Sequence, residues 1–228
     1  MVILGLTGSI AMGKTTAAGL LRRLGVPVFE ADREVHALLA RGGAAVPMVA
    51  AEFPGLVTAG LVTNGVVDRS ALGQRVFADT QALADLEAIL HPLVRRSEQR
   101  FLRAAALRRV PLVVLDIPLL LETGGERAVD ATLVVSAPAF IQESRVFGRP
   151  GMTPERLQAV LGRQMADVEK RRRADFVVPT GLGRRETLRR LKGIVTLMRR
   201  QRGRNSPPSR WPRERHARSR PRYRDHRP

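Results

Sequence analysis

The 228-residue chain has no cysteine, which excludes disulfides, thiolate metal centres and a thiol nucleophile. Aromatic residues make up only 4% of it, so a core has to be built mainly from Leu, Val and Ala. The apolar content of 44% is enough for one sizeable α/β domain, or a core with an insertion. No apolar run reaches the roughly 18 residues that a membrane-spanning helix needs, and no span is expected. Met1 leads directly into a short apolar stretch, without the basic and apolar segments of a secretory leader, so the expected location is cytoplasmic. Acidic residues are scarce at one end. From Arg199 to Pro228 twelve Arg face only Glu214 and Asp225, so this tail holds +10 of the net +18. Trp211 and Tyr223 could stack on bases there. Its five Pro, few aliphatic residues and missing periodicity read instead as a disordered, solvated extension over 201–228. Nucleic acid is therefore not an expected partner of the body of the chain.

What is present is organised around Gly8-Ser9-Ile10-Ala11-Met12-Gly13-Lys14-Thr15-Thr16, which fits G-x-x-x-x-G-K-[ST]. Val2, Ile3, Leu4 and Leu6 before it form an apolar run suited to a buried parallel strand. Ala17, Leu20, Leu21 and Leu24 after it recur at helical spacing and stop at Gly25. Strand, glycine loop and helix are the context that a phosphate-binding loop requires. Gly8 and Gly13 let the backbone aim successive N–H groups at an anion. Lys14 supplies a point charge to the outer phosphates, and the Thr15 hydroxyl can hold Mg²⁺. A switch GTPase would also need an Asn-Lys-x-Asp motif, and none occurs.

Further along, Val26 to Phe29 reads as a second strand, followed by Asp32 and a helix carrying Val35, Leu38 and Leu39. Asp32 stands just past a strand end, where parallel sheets carry ligands; it serves equally well as a helix N-cap. Residues 43–68 look loop-rich, with an Asn64-Gly65 turn. Asp68 and Asp79 precede helical patterns, and a third helix is expected from Pro92 to Arg109. Leu112 to Asp116 is an apolar strand ending in a carboxylate, either a Mg²⁺-holding aspartate or a plain polar turn. Ala131 to Val135 and Phe176 to Val178 complete a five-stranded parallel sheet flanked by helices. Between them, Pro138 to Arg172 reads as two short helices joined by a Gly/Pro turn, a lid over phosphates. Arg145 and Arg149, four apart, are expected on one helix face there, and Lys170 to Arg173 on a solvated face. The helix from Arg184 to Met198 buries Leu188, Leu191, Val195 and Met198.

These residues resemble the dephospho-CoA kinase family. The resemblance runs over about residues 2–183 in the family's order and spacing. It is carried by Leu6 to Ile10 leading into Gly13 to Thr16, Glu30-Ala31-Asp32, Asp68-Arg69 with Leu72 and Phe77, and Leu90-His91-Pro92. Pro118-Leu119-Leu120 with Glu122, Arg145 with Arg149, and Ala174 to Val178 complete it. It implies a P-loop fold with core segments 1–30, 110–137 and 173–200, a helical CoA-binding subdomain over about 31–109 and a lid over about 138–172. It also implies phosphorylation of the ribose 3′-hydroxyl of dephospho-CoA with ATP and Mg²⁺. Asp32 matches the family's catalytic aspartate, with Lys14, Arg145 and Arg149 offsetting charge on the phosphoryl group. Asp32, His91, Pro118 and Leu119 would meet the substrate, and Thr15 and Asp116 the metal. His91 reads equally well as a capping or packing residue ahead of Pro92. Glu30 and Pro179 depart from the family pattern, where Asp and a polar residue are usual. A nucleoside or sugar kinase of the same loop type is the alternative; a nucleic-acid-binding P-loop protein is a more distant one.

Overall fold

The computed structural model describes residues 1–54 and 67–201. Five strands form one parallel sheet: β1 (Val2–Thr7), β2 (Val28–Glu30), β3 (Leu112–Asp116), β4 (Ala131–Ser136) and β5 (Phe176–Pro179). Their order across it is β2-β3-β1-β4-β5. Every residue of β3 and β4 is buried, as expected of parallel strands covered on both faces. The expected five-stranded sheet is borne out. Pro179 ends the edge strand β5, where a missing N–H is tolerated.

Helix α1 (Lys14–Arg23) and α9 (Arg184–Gln201) are both packed into the core cluster on the sheet. Leu20 and Leu21 from α1 meet Leu191, Val195 and Met198 from α9 in that cluster, with Leu4 and Leu6 of β1. Each such side chain withdrawn from water contributes about 1.5–3 kcal/mol. The central strand is thus rigidly seated, and the loop leaving it starts from a fixed point. That point is also where the strand order reverses, since β3 lies on one side of β1 and β4 on the other. Ligands of open parallel sheets bind at such a place.

A second apolar cluster joins α2 (Ala31–Leu38), α3 (Val46–Glu52), α4 (Arg69–Ala78) and α5 (Thr80–Leu107). Leu38, Val46, Val49, Leu72, Leu86 and Leu90 are buried in it. Asp68 and Asp79 cap as expected: the Ala71 N–H reaches Asp68 Oδ1 at 3.0 Å, and the Gln81 N–H reaches Asp79 Oδ1 at 2.9 Å. Two expectations fail here. Val46–Glu52 is helical rather than loop, with Pro47 in the first turn, where its missing N–H is harmless. The Asn64-Gly65 turn lies outside the described residues. More importantly, α5 is continuous for 28 residues with Pro92 inside it. Proline removes one backbone bond at a cost of about 3 kcal/mol. Buried contacts on both sides, Leu86 and Leu90 before it and Ser97 and Ala105 after it, hold the helix together. His91 is accordingly an exposed mid-helix residue and caps nothing.

The segment after β4 forms α6 (Ala139–Phe147), α7 (Pro154–Gly162) and α8 (Asp167–Arg173). The turn between α6 and α7 uses Gly151 at φ 73°, and Thr153 caps α7 through a bond from the Arg156 N–H. Because α6 ends at Phe147, Arg149 lies in the turn and does not share a helix face with Arg145. Nor is Lys170 solvated: it is fully buried, with Nζ 2.8 Å from Glu122 Oε1. Burial opposes the charge on Glu122, but Lys170 and the Met165 N–H, 2.8 Å from Oε1, outweigh it and hold its carboxyl below the ordinary value. This ion pair and the Arg173–Glu126 pair root α8 in the loop after β3. Among the described residues no helix is long and apolar enough to cross a membrane.

Candidate active site

The loop from Gly8 to Gly13 wraps the N-terminus of α1 and opens into a cavity of about 620 Å³. Gly8 has to be glycine because a Cβ there would stand 2.7 Å from the Val135 carbonyl oxygen on β4. Gly13 sits at φ 89°, and a Cβ would press on Thr180 at 3.0–3.2 Å. Ala11, at φ 58°, adopts the left-handed conformation without being glycine, at a cost on the order of 1 kcal/mol. Neighbouring groups fix that backbone. The Thr180 hydroxyl donates to the Met12 carbonyl at 2.7 Å, and Arg145 donates to the Ala11 carbonyl at 3.3 Å. Arg145 is itself held by the Thr180 carbonyl at 2.8 Å and the Thr180 hydroxyl at 3.1 Å.

Lys14, at the first turn of α1, points back across the sheet edge. Its Nζ lies 2.9 Å from Asp116 Oδ1 and 3.4 Å from Asp32 Oδ2. Sheet register assembles these acids: Glu30 of β2 pairs with Asp116 of β3, and Asp116 also pairs with Leu6 just before the loop. Burial pushes the Asp116 carboxyl above its ordinary value; Lys14 draws it back, while Glu30 and Asp32 add to the rise. Asp32 is 65% exposed, so its carboxylate is open to a ligand while Asp116 is not. It lies inside the first turn of α2, after an N-cap at Glu30 with no side-chain cap bond. The capping reading of Asp32 fails. Glu30 pairs with Arg22, which ties the end of β2 to α1.

Of the residues singled out from sequence, Gly8, Ser9, Ile10, Ala11, Gly13, Lys14, Thr15 and Thr16 line this cavity, together with Asp32, Pro118, Arg145 and Arg149. Met12 is buried beneath the loop, and its Sδ accepts from the Ala137 N–H at 3.0 Å. Asp116 stands behind Lys14. Neither Leu119 nor the exposed His91 lines it. Thr180, Gln164, Arg184 and Thr187 do line it, and sequence reading missed them. The one local signal was position: Thr180 and Arg184 follow the end of a parallel strand. Gln164, coming after α7, had none.

A glycine loop, one lysine and two convergent carboxylates are shared by many nucleotide-using proteins, so the comparison with known proteins decides the family. The family model described as dephospho-CoA kinase matches residues 2–182. The chain belongs to the dephospho-CoA kinase family. It is 57% identical over 198 residues to a dephospho-CoA kinase of Rhodospirillum rubrum, covering 87% of this chain and 92% of that one. It is 61% identical over 199 residues to one from Paramagnetospirillum magneticum, again covering 87% and 92%. A crystal structure from Thermus thermophilus superposes with a TM-score of 0.70 at 38% identity, over 86% of this chain and 97% of that one. Dephospho-CoA kinase from Campylobacter jejuni, 22% identical with a TM-score of 0.63 over 87% and 97%, shares the fold. Residues beyond 201 lie outside both the described structure and the family match.

Proposed function

We propose that this chain transfers the terminal phosphoryl group of ATP to the ribose 3′-hydroxyl of dephospho-CoA, giving coenzyme A. The observation that carries the reading is Lys14 set between the phosphate loop and two carboxylates, only one of which faces the cavity. In this reading the loop from Gly8 to Thr16 cradles the triphosphate with its amides other than those of Ile10 and Met12, which are already bonded. Lys14 offsets the charge spread over the transferring group. Asp32 orients the hydroxyl and takes its proton as transfer proceeds, which suits an exposed carboxylate beside the phosphates. Arg145 and Arg149 add positive charge from the α6 side of the cavity. Since Arg145 spends three bonds on Ala11 and Thr180, it acts as much by bracing the loop as by its field.

The donors suit Mg²⁺. Among the described residues no cluster of three or more His, Asp or Glu side chains is placed to hold a metal. A hard cation that keeps its waters and binds phosphate oxygens needs only one carboxylate and a hydroxyl. Thr15 lines the cavity and would hold the ion directly, while Asp116, shut off behind Lys14, would reach it through one of the ion's waters. Bound there, the ion would neutralise phosphate charge. The helical segment 31–109, with its separate apolar cluster, is the proposed seat of the CoA part of the acceptor, and 138–172 the proposed lid. Pro118 and Asp32 are its proposed contacts at the cavity, and His91 and Leu119 would have to act from outside it.

An acceptor panel tests the reading. ADP release is measured with dephospho-CoA, nucleosides, shikimate and simple sugars. The expected result is the highest kcat/KM for dephospho-CoA; a higher value for another acceptor overturns the assignment.

A further inference from the structure

Ile10 is gripped at both its backbone N–H and its backbone carbonyl by side chains more than 130 residues away in sequence. Its N–H donates to Gln164 Oε1 at 3.0 Å, and its carbonyl accepts from Gln142 Nε2 at 2.9 Å. The orientation of both amides is forced, because an N–H can only donate and a carbonyl can only accept. Gln142 is buried on α6, and Gln164 follows α7 at the cavity wall. The two therefore bracket the α6–α7 arm that carries Arg145 and Arg149. The next residue, Ala11, is held in a backbone conformation that residues with a Cβ avoid. With the Ile10, Ala11 and Met12 carbonyls all bound by groups outside the loop, no carbonyl of these three is turned towards an anion. Anion binding falls to the loop N–H groups other than those of Ile10 and Met12, which are bonded to Gln164 and to the Ser9 carbonyl.

We propose that Gln142 and Gln164 are positioning residues for phosphoryl transfer: together they clamp Ile10, so that the strained turn of the phosphate loop and the arginine-bearing arm move as one unit. This rests on the kinase reading above. Neither glutamine needs to touch the reacting atoms. Freeing the Ile10 peptide lets the loop relax away from the geometry that the transition state requires, and misplacement by about 1 Å can cost on the order of 100-fold in rate.

The two glutamines use opposite ends of their side-chain amides, Gln164 its oxygen and Gln142 its nitrogen, which gives a charge-matched test. Gln164→Glu keeps an acceptor for the Ile10 N–H. Gln142→Glu replaces the donor with an oxygen facing another oxygen. Both add one negative charge. The experiment is steady-state kinetics of the full chain with MgATP and dephospho-CoA, with a thermal melt of each variant. Q164A, Q142A and Q142E are expected to lose about tenfold or more in kcat, while Q164E stays within about threefold and shows its charge as a raised KM for ATP. Wild-type kcat in Q164A, or a kcat in Q164E as low as in Q164A, overturns the clamp. Should the buried Gln142 variants fail to melt cooperatively, Q164A and Q164E decide alone. If the wild-type chain itself makes no coenzyme A, the kinase reading fails, and the clamp is then judged by hydrogen exchange at the Ile10 amide, which Q164A should speed and Q164E should not; equal exchange in both variants overturns it.

Discussion

Replacing Glu122 by Gln tests how the 138–172 arm is rooted in the sheet. Lys170 is fully buried, and Glu122, 2.8 Å away, is its ion-pair partner. The substitution keeps an oxygen for the Met165 N–H but removes the negative charge, leaving a buried ammonium uncompensated. Breaking a buried pair from one side costs about 3–5 kcal/mol. At about 2–4 °C per kcal/mol for a domain of this size, the melting temperature should fall by about 6–20 °C. Lys170→Met should cost less, because Glu122 remains 15% exposed and still accepts from the Met165 N–H. The double variant should recover much of the loss, since no charge is then buried alone. The assay is equilibrium unfolding of all four proteins. The pH dependence follows from the lowered carboxyl. Its contribution is fully present above the ordinary value of 4.5 and is lost as pH falls through the lower folded value. E122Q should lack that acid-sensitive part. An E122Q protein within about 0.5 kcal/mol of wild type, or a double variant as weak as the sum of the singles, refutes the reasoning.

Lys14→Ala should lower kcat by about 100-fold or more at saturating ATP, since its charge is needed most where phosphoryl charge develops; undiminished turnover would remove Lys14 from the reaction. Asp32→Asn should keep its melting temperature and its affinity for ATP, because it makes no capping bond, while kcat falls by about 10²–10⁴-fold. An unfolded or ATP-blind variant would show that Asp32 serves structure instead. Truncation after Gln201 should leave kcat unchanged, since the family match ends at residue 182; collapse of activity would make the Arg-rich tail part of the enzyme.

How much could be read in advance depended on how local each cause was. The sheet and the phosphate loop could be read because four-residue apolar runs and glycine spacing are set by neighbouring residues. The caps at Asp68 and Asp79 were visible for the same reason. Pro92 misled because its local preference to end a helix is overridden by packing spread along α5. Lys170 misled more completely. In sequence it belongs to a run of cations, and only the distant Glu122 makes its burial tolerable. Asp32 and Asp116 could be named from strand ends, but their meeting at Lys14 follows from the pairing of β2 with β3. Thr180 and the two glutamines were silent, because each acts on the loop from more than 130 residues away.

The central claim is that Asp32 faces the acceptor while Lys14 and the loop face the triphosphate. It is tested most directly by a crystal structure with dephospho-CoA and a non-hydrolysable ATP analogue. The expected result places the Asp32 carboxylate about 2.6–3.2 Å from the ribose 3′-hydroxyl, with the phosphates on the loop amides and Lys14. A 3′-hydroxyl bound away from Asp32, with that carboxylate turned from both ligands, would contradict it.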